Sequence, residues 1–292
     1  MTSTLRNPMR RYATQTVGLA AMRLATLVTA GLILAIVGYL VEKALPALSL
    51  DFLLDSPREM MTAGGIWPCL VGTFYLAVGA TAIALPLGVG TALYLSEYQA
   101  NGRFVNAIRL AVANLSGVPS VIFGLFGLAF FVTVCGLKVS LLSGILTLAV
   151  LALPITINTT QAALLQVPQA WREASLALGA NKKQTIFRIV LPAALPGILT
   201  GNILALSRVA GETAAIMYTA AVFYTPTISH SLLDPVMSLP YHIYVLATSS
   251  VDVEATRPLQ YATALVLVVM VLGLNAIALV IRQRAQRRLK LR

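Results

Sequence analysis

Two charged side chains sit where the sequence is otherwise apolar. Arg208 and Glu212 fall inside the run PGILTGNILALSRVAGETAAIMYTAAVF, four residues apart. Read as one helix starting at Pro196, the run places Arg208 about 18 Å along the axis, near the centre of a bilayer. A guanidinium there costs roughly 3 kcal/mol even on the lenient insertion scale. The spacing predicts that both side chains share one helix face and pair when nothing else is bound. The chemistry such a pair offers is oxyanion recognition. The planar donors of Arg208 match phosphate-like oxygens, and Glu212 accepts a hydrogen bond from a protonated anion. An arginine partly countered by a glutamate binds weakly, which suits a path an ion must also leave. Ser207 and Thr213 add hydroxyls beside the pair, and Gly201 and Gly211 allow close helix approach. The alternative is an ion pair that only fixes packing.

The elements that must hold this pair are membrane helices. Of 292 residues, 58% are hydrophobic and 11% charged, against about 25% charged in soluble domains. Mean hydropathy is +0.83. Six apolar runs reach spanning length: Leu24–Val41, Ile66–Leu95, Ala111–Val134, Val139–Ile157, Pro196–Phe223 and Tyr261–Ile281. The fold class expected is therefore all-α, an integral membrane protein of six transmembrane helices. Residues 1–16 are expected as a cytoplasmic N-terminal segment and 17–292 as a single transmembrane domain, ending in a basic cytoplasmic tail, 282–292. The start is read as an uncleaved anchor rather than a signal peptide. Arg23 snorkels at the edge of the first span.

Cations set the orientation. With both termini inside, the cytoplasmic segments hold Arg6, Arg10, Arg11, Arg103, Arg109, Arg172, Lys182, Lys183, Arg188 and the tail. The outer loops keep Lys43, Arg58, Lys138 and Arg257, together with most of the acids. The net charge of +11 is thus accounted for by topology and anionic lipid, not nucleic acid. Cys69 and Cys135 carry no CxxC or metal spacing and are expected as buried free thiols. His230 and His242 lack a third ligand, so no metal site is expected. The segment MSLPYHIYVLAT is too short to span and suits an interfacial helix on the outer side.

One long polar insert interrupts this pattern. QVPQAWREASLALGANKKQTIFRIVLPAALPG follows the fourth span. Pro168 opens a short helix at Gln169–Leu178, Gly179 supplies a left-handed cap, and a second helix at Lys182–Val190 stops before Pro192. Glu173, Ala174 and Ser175, then Gly179, then Ile189, Leu191 and Pro192 resemble the EAA loop of ATP-binding-cassette importer permeases. One residue departs from that pattern, Ser175 in place of the second alanine. The stretches GGIWPCLVGTFYLAVGATAIALPLGVGTALYLSEY, NLSGVPSVIFGLFGLAFF, SRVAGETAAI and MSLPYHIYVLAT resemble the phosphate-specific branch of these permeases, from about residue 64 onward.

The resemblance implies a type I importer architecture with a cytoplasmic coupling-helix loop, about residues 161–195, between helices 4 and 5. It implies that Arg172, Glu173, Ala174, Ser175, Gly179 and Ala180 dock an ATPase, and that Arg208 and Glu212 lie on the phosphate path. The implied partners are a second permease subunit, two ATPase subunits carrying ATP and Mg, and a periplasmic phosphate-binding protein. No cofactor is expected on this chain. It has no GxxxxGK[ST], HExxH or GxSxG motif, so it is expected to transport rather than catalyse. Sulfate, molybdate or phosphonate are alternative cargoes, and an ion-coupled carrier is an alternative class.

Overall fold

The computed structural model describes residues 8–61, 63–98, 102–249 and 253–290. Helix α1 (Pro8–Ala44) is followed by a short outer segment. That segment holds α2 (Leu50–Leu54) and a two-residue hairpin, β1 (Pro57–Arg58) on β2 (Ala63–Gly64). The hairpin fell within what the sequence offered only as a loop. Ser49 opens α2 by accepting the Phe52 N–H. Then come α3 (Trp67–Leu93), extended by a π turn over Tyr94–Tyr98, α4 (Arg103–Ser116), and α5 (Ser120–Gly127) with a π turn over Leu128–Val134. Next are α6 (Leu141–Leu165), α7 (Gln169–Ala177), α8 (Lys182–Thr185) with a π turn over Ile186–Val190, and α9 (Leu191–Ala210). The chain closes with α10 (Ala214–Met217), α11 (Leu239–Thr248) and α12 (Val253–Lys290).

Five helices among the described residues are long and apolar enough to cross a membrane, or six if the bent pair Arg103–Ser116 and Ser120–Val134 is one span. That pair corrects the expectation of a straight helix over Ala111–Val134. The two halves meet at 112°. Pro119 lacks an N–H and pushes Val118 out of the helical region, so the helix ends at Ser116. The fifth run is corrected as well. Its helix starts at Lys182, passes Pro192, and ends at Ala210. The π turn at Ile186–Val190 widens the coil just where Pro192 removes a donor. At the other end Gly211 has left the helix, and Pro196–Phe223 is not one continuous element.

Packing runs in three tiers. The outer tier joins Phe52, Ile66, Cys69, Leu239 and Leu246. The middle tier joins α3, α5, α6, α9 and α10 through residues such as Leu76, Phe123, Leu148, Leu206 and Ile216. The inner tier closes the other end with Leu95, Val105, Leu164, Ile186 and Val190. Helix α1 lies outside all three apart from its last residue, Ala44, and packs along α12. Its long apolar faces suit contact with acyl chains. Cys69 is buried and Cys135 exposed, both free, so Cys135 departs from the buried thiol expected.

Candidate functional site

Helix α9 carries Arg208, and its neighbours fix the depth. A side chain at Gly201 would collide with Thr159, and one at Gly197 with Ala163. These contacts step four residues in opposite directions, so α9 and α6 run antiparallel. Arg208 then lies level with Ala152, midway along Leu141–Leu165. A position level with the middle of a candidate span holds, by the register of two helices, although the count from Pro196 gives way because the helix begins at Lys182.

The pairing does not. Helix α9 ends two residues beyond Arg208, so Glu212 is no longer one turn up the same face. Its N–H donates to the Val209 carbonyl at 3.2 Å. Its Oε1 instead accepts the Ala215 N–H at 3.4 Å, opening α10. No ion pair joins Arg208 to Glu212 among the described residues. Arg208 has no hydrogen-bond partner among them and is exposed on this chain. Glu212 and Thr213 are half-buried in the break. Ser207 points elsewhere. Its Oγ lies 2.9 Å from the Ile203 carbonyl and 2.8 Å from Asn275 Oδ1, so it ties α9 to α12. Asn275 was missed, although a lone amide in VLGLNAIALV was a visible signal. The short α10 is held by α5, where Gly124 meets Ala214 and Tyr218 too closely for a side chain.

Below Arg208 the same flank of α9 lines a cavity of roughly 1290 Å³. Leu204, Thr200, Gly197 and Ala193 form its α9 wall, Thr159 and Gln166 its α6 wall. Trp171 and Ala174 enter from α7, and Arg188, Arg282 and Gln286 stand at its inner end. Arg282 thus belongs to a helix wall that continues α12, not to a free tail.

The polar insert forms a closed two-helix loop. Pro168 is the N-cap of α7. Gly179 takes φ +83°, and the N–H groups of Gly179 and Ala180 return to the Leu176 and Ser175 carbonyls at 3.0 and 3.2 Å. Asn181 and Gln184 form a reciprocal cap on α8 at 2.8 and 2.9 Å. Ser175, the departure from the family pattern, sits 2.9 Å from the Thr185 hydroxyl and fastens α7 to α8.

Arg172 anchors this loop to the spans. Its Nη2 donates to Glu97 Oε1 at 2.7 Å and to the Leu164 carbonyl at 3.0 Å. Its Nη1 donates to the Val167 carbonyl at 2.7 Å, and Nε faces both Glu97 oxygens at 3.2 and 3.3 Å. The side chains are 15% and 9% exposed. The guanidinium therefore adds donors to the Leu164 and Val167 carbonyls at the end of α6 while joining α7 to the far end of α3. Turned inward, it presents no charge to a docking partner. The outward residues are Glu173, Ala174 and Gly179, with Trp171 at 52% and Leu178 at 89% exposure. Ser175 and Ala180 are half-buried. Glu97 was not singled out from the sequence. Its signal was a carboxylate on the side where cations collect.

On the outer side His242 is buried in α11, 3.3 Å from the Thr263 hydroxyl, and burial pushes its pKa down to about 4. His230 lies in the exposed loop before it, where its N–H and that of Ser231 donate to Asp234. No cluster of three metal-ligating side chains occurs among the described residues.

Residues 84–291 match the family described as binding-protein-dependent transport system inner membrane component. The chain is 31% identical to the probable ABC transporter permease protein YqgI of Bacillus subtilis, over 92% of this chain and 95% of that one. It is 36% identical to the phosphate transport system permease protein PstA of Haemophilus influenzae, covering 81% and 82%. For PstA 1 of Mycobacterium tuberculosis the identity is 38%, covering 78% and 73%. The fold is similar to that of a bacterial ABC transporter for alginate import, with TM-score 0.61 at 17% identity over 97% of this chain and 98% of that one. It also resembles an inward-facing MetNI methionine transporter, with TM-score 0.59 at 23% identity over 76% and 94%. A bent set of membrane helices, a capped cytoplasmic-type loop and a match across most of the sequence agree: the chain belongs to the family of inner membrane components of binding-protein-dependent transport systems.

Proposed function

We propose that the chain is a permease subunit of an ATP-driven importer of inorganic phosphate. The observation that carries this reading is Arg208. It stands level with the middle of α6, exposed on its own chain and without a partner among the described residues. Lipid is a poor neighbour for a guanidinium at that depth. A second permease subunit closing over this face would bury Arg208 in a shared path, where its planar donors meet an oxyanion. Glu212 and Thr213, in the adjacent break, supply a carboxylate and a hydroxyl to a protonated anion. The PstA-type relatives support phosphate as cargo over sulfate, molybdate or phosphonate.

Energy comes from two separate ATPase subunits holding ATP and Mg. They seat on the outward residues of α7, Glu173, Ala174 and Leu178. Movement of α7 reaches α3 through Arg172 and Glu97, and α9 through α8. A phosphate-binding protein delivers cargo on the outer side, and both termini lie in the cytoplasm.

The test is uptake of labelled phosphate by the complete importer in liposomes. Wild type is expected to import phosphate, with little competition from sulfate, molybdate or phosphonate. Arg208→Gln is expected to abolish uptake while the ATPase still co-purifies. Undiminished uptake by that variant would overturn the role of Arg208, and stronger competition by another oxyanion would reassign the cargo.

A further inference from the structure

The cavity under Arg208 has an unusual charge balance. Its lining includes the guanidiniums of Arg188 and Arg282 and no carboxylate. The rest is apolar or neutral. Such a cavity attracts an anion and offers nothing to neutralise its own cations.

Arg282 is placed apart from the other arginines at that end of α12. Arg284 and Arg287 are exposed, as surface cations beside a membrane usually are. Arg282 is half-buried, and its Nε is shut off from solvent with no hydrogen-bond partner. An unmet guanidinium N–H in such a place is costly. No acceptor among the described residues meets the Arg282 guanidinium, so its charge is left for an acceptor from outside the chain.

The register of α9 and α12 gives its height. Ser207 meets Asn275, and the two helices run in opposite directions. Arg282, seven residues on from Asn275, therefore lies level with Thr200, seven residues back from Ser207. Both line the cavity. Thr200 is eight residues before Arg208, so Arg282 stands about 12 Å further toward the cytoplasmic end. Arg188 lies lower still. Between the two levels the α9 wall is Leu204 and small residues, with no charge to arrest an anion.

We propose that Arg282 forms a second binding station, on the cytoplasmic side of Arg208, for a phosphate group, with Arg188, about 18 Å further down, as the last cation before the cavity opens. Two sources carry that chemistry. One is the cargo, handed down from Arg208 before release, and this source rests on the phosphate reading above. The other is the headgroup of an anionic phospholipid, whose chains would lie against Leu204. A path with two weak stations moves an ion better than one strong site, because each can both bind and release.

The test uses the complete nucleotide-free importer in detergent. Arg208→Gln is the background, so the mid-membrane station is silent. Equilibrium binding of labelled inorganic phosphate is compared with and without Arg188→Gln and Arg282→Gln, and retention of phosphatidylglycerol over phosphatidylcholine is followed by native mass spectrometry. At least a tenfold loss of phosphate affinity in the triple variant supports a station for cargo. Unchanged phosphate binding with lost phosphatidylglycerol supports the same station with lipid as its source. If phosphate binding and phosphatidylglycerol retention are both unchanged, the proposal is overturned. Arg282→Lys guards against misfolding, because it keeps the charge and is expected to retain part of the binding, and co-purification of the ATPase checks assembly. Wild-type uptake separates this result from the functional reading. If the station binds phosphate while the importer carries only another oxyanion, the cargo assignment fails and the station stands.

Discussion

The loop around Arg172 and the break around Arg208 each hold one arginine, and they treat it in opposite ways. Arg172 is enclosed, with Glu97, Leu164 and Val167 taking up its donors. Arg208 has no such shell among the described residues. The caps around Arg172 are closed too, with Gly179, Asn181 and Ser175 meeting partners a few residues away. The helix end around Arg208 is finished by a glutamate 3.4 Å from one N–H. A polar group closed within its own chain serves the shape of that chain. One left open serves something that arrives from outside it.

The sharpest way to break this contrast is Arg208→Gln. Uptake is expected to fall at least 100-fold. The thermal stability of the isolated subunit should move by less than about 0.5 kcal/mol, since no intrachain partner is lost. A large drop in stability would show that the open arginine is structural after all. Arg172→Ala should do the reverse. It strands Glu97 in a shielded position and is expected to cost about 2 kcal/mol, read as a lower unfolding midpoint and weaker retention of the ATPase. Glu97→Ala should resemble it, and the double variant should cost less than the two losses added.

Smaller effects refine the picture. Gly179→Val is expected to cost roughly 1–2 kcal/mol. A side chain there meets nothing within 4 Å, so the penalty belongs to φ +83° alone. Gly179→Asn should recover most of it. A difference of that kind in ATPase co-purification would sharpen the docking role of the loop.

The outer side gives the smallest change. His242 is neutral in the fold, and its pKa is lowered from the usual 6.5 to about 4 by burial. Its contribution is whole above pH 6.5 and is lost as pH falls toward 4, because the unfolded chain takes up the proton first. His242→Gln should flatten that part of a pH–stability curve, and an unchanged slope would discount the burial.

Composition and periodicity made the membrane helices legible, because each long apolar run has few other structures open to it. The Pro168 start and the Gly179 cap of the loop were legible as well, since proline and glycine act through local backbone rules, but the expected stop before Pro192 was not borne out, because the helix runs on to Ala210. The place of Arg208 inside an apolar run could be read along the chain, although the count from Pro196 did not hold, since the helix begins at Lys182. Its separation from Glu212 could not, because the helix ends where tertiary contacts from α5 outweigh the local pattern. The sharp turn at Pro119 had a local signal that the length of the apolar run concealed. Arg172 with Glu97 was out of reach: the partners are 75 residues apart, and neither type nor spacing names the other. Arg282 looked like any tail cation until helix α12 proved to continue past it.

The π turn at Ile186–Val190 has a further implication. A π turn holds one residue more than the α-helix around it, so it stores a phase offset in the rod that follows. Tightening it to α geometry would swing α9 by about 100° against α8. Because Arg208 rides on that rod, its heading is set some twenty residues away, by how one turn is wound at the rod's other end. The hinge that aims the charge is thus a matter of helical phase, with the loop holding one end of the screw and the open arginine marking the other.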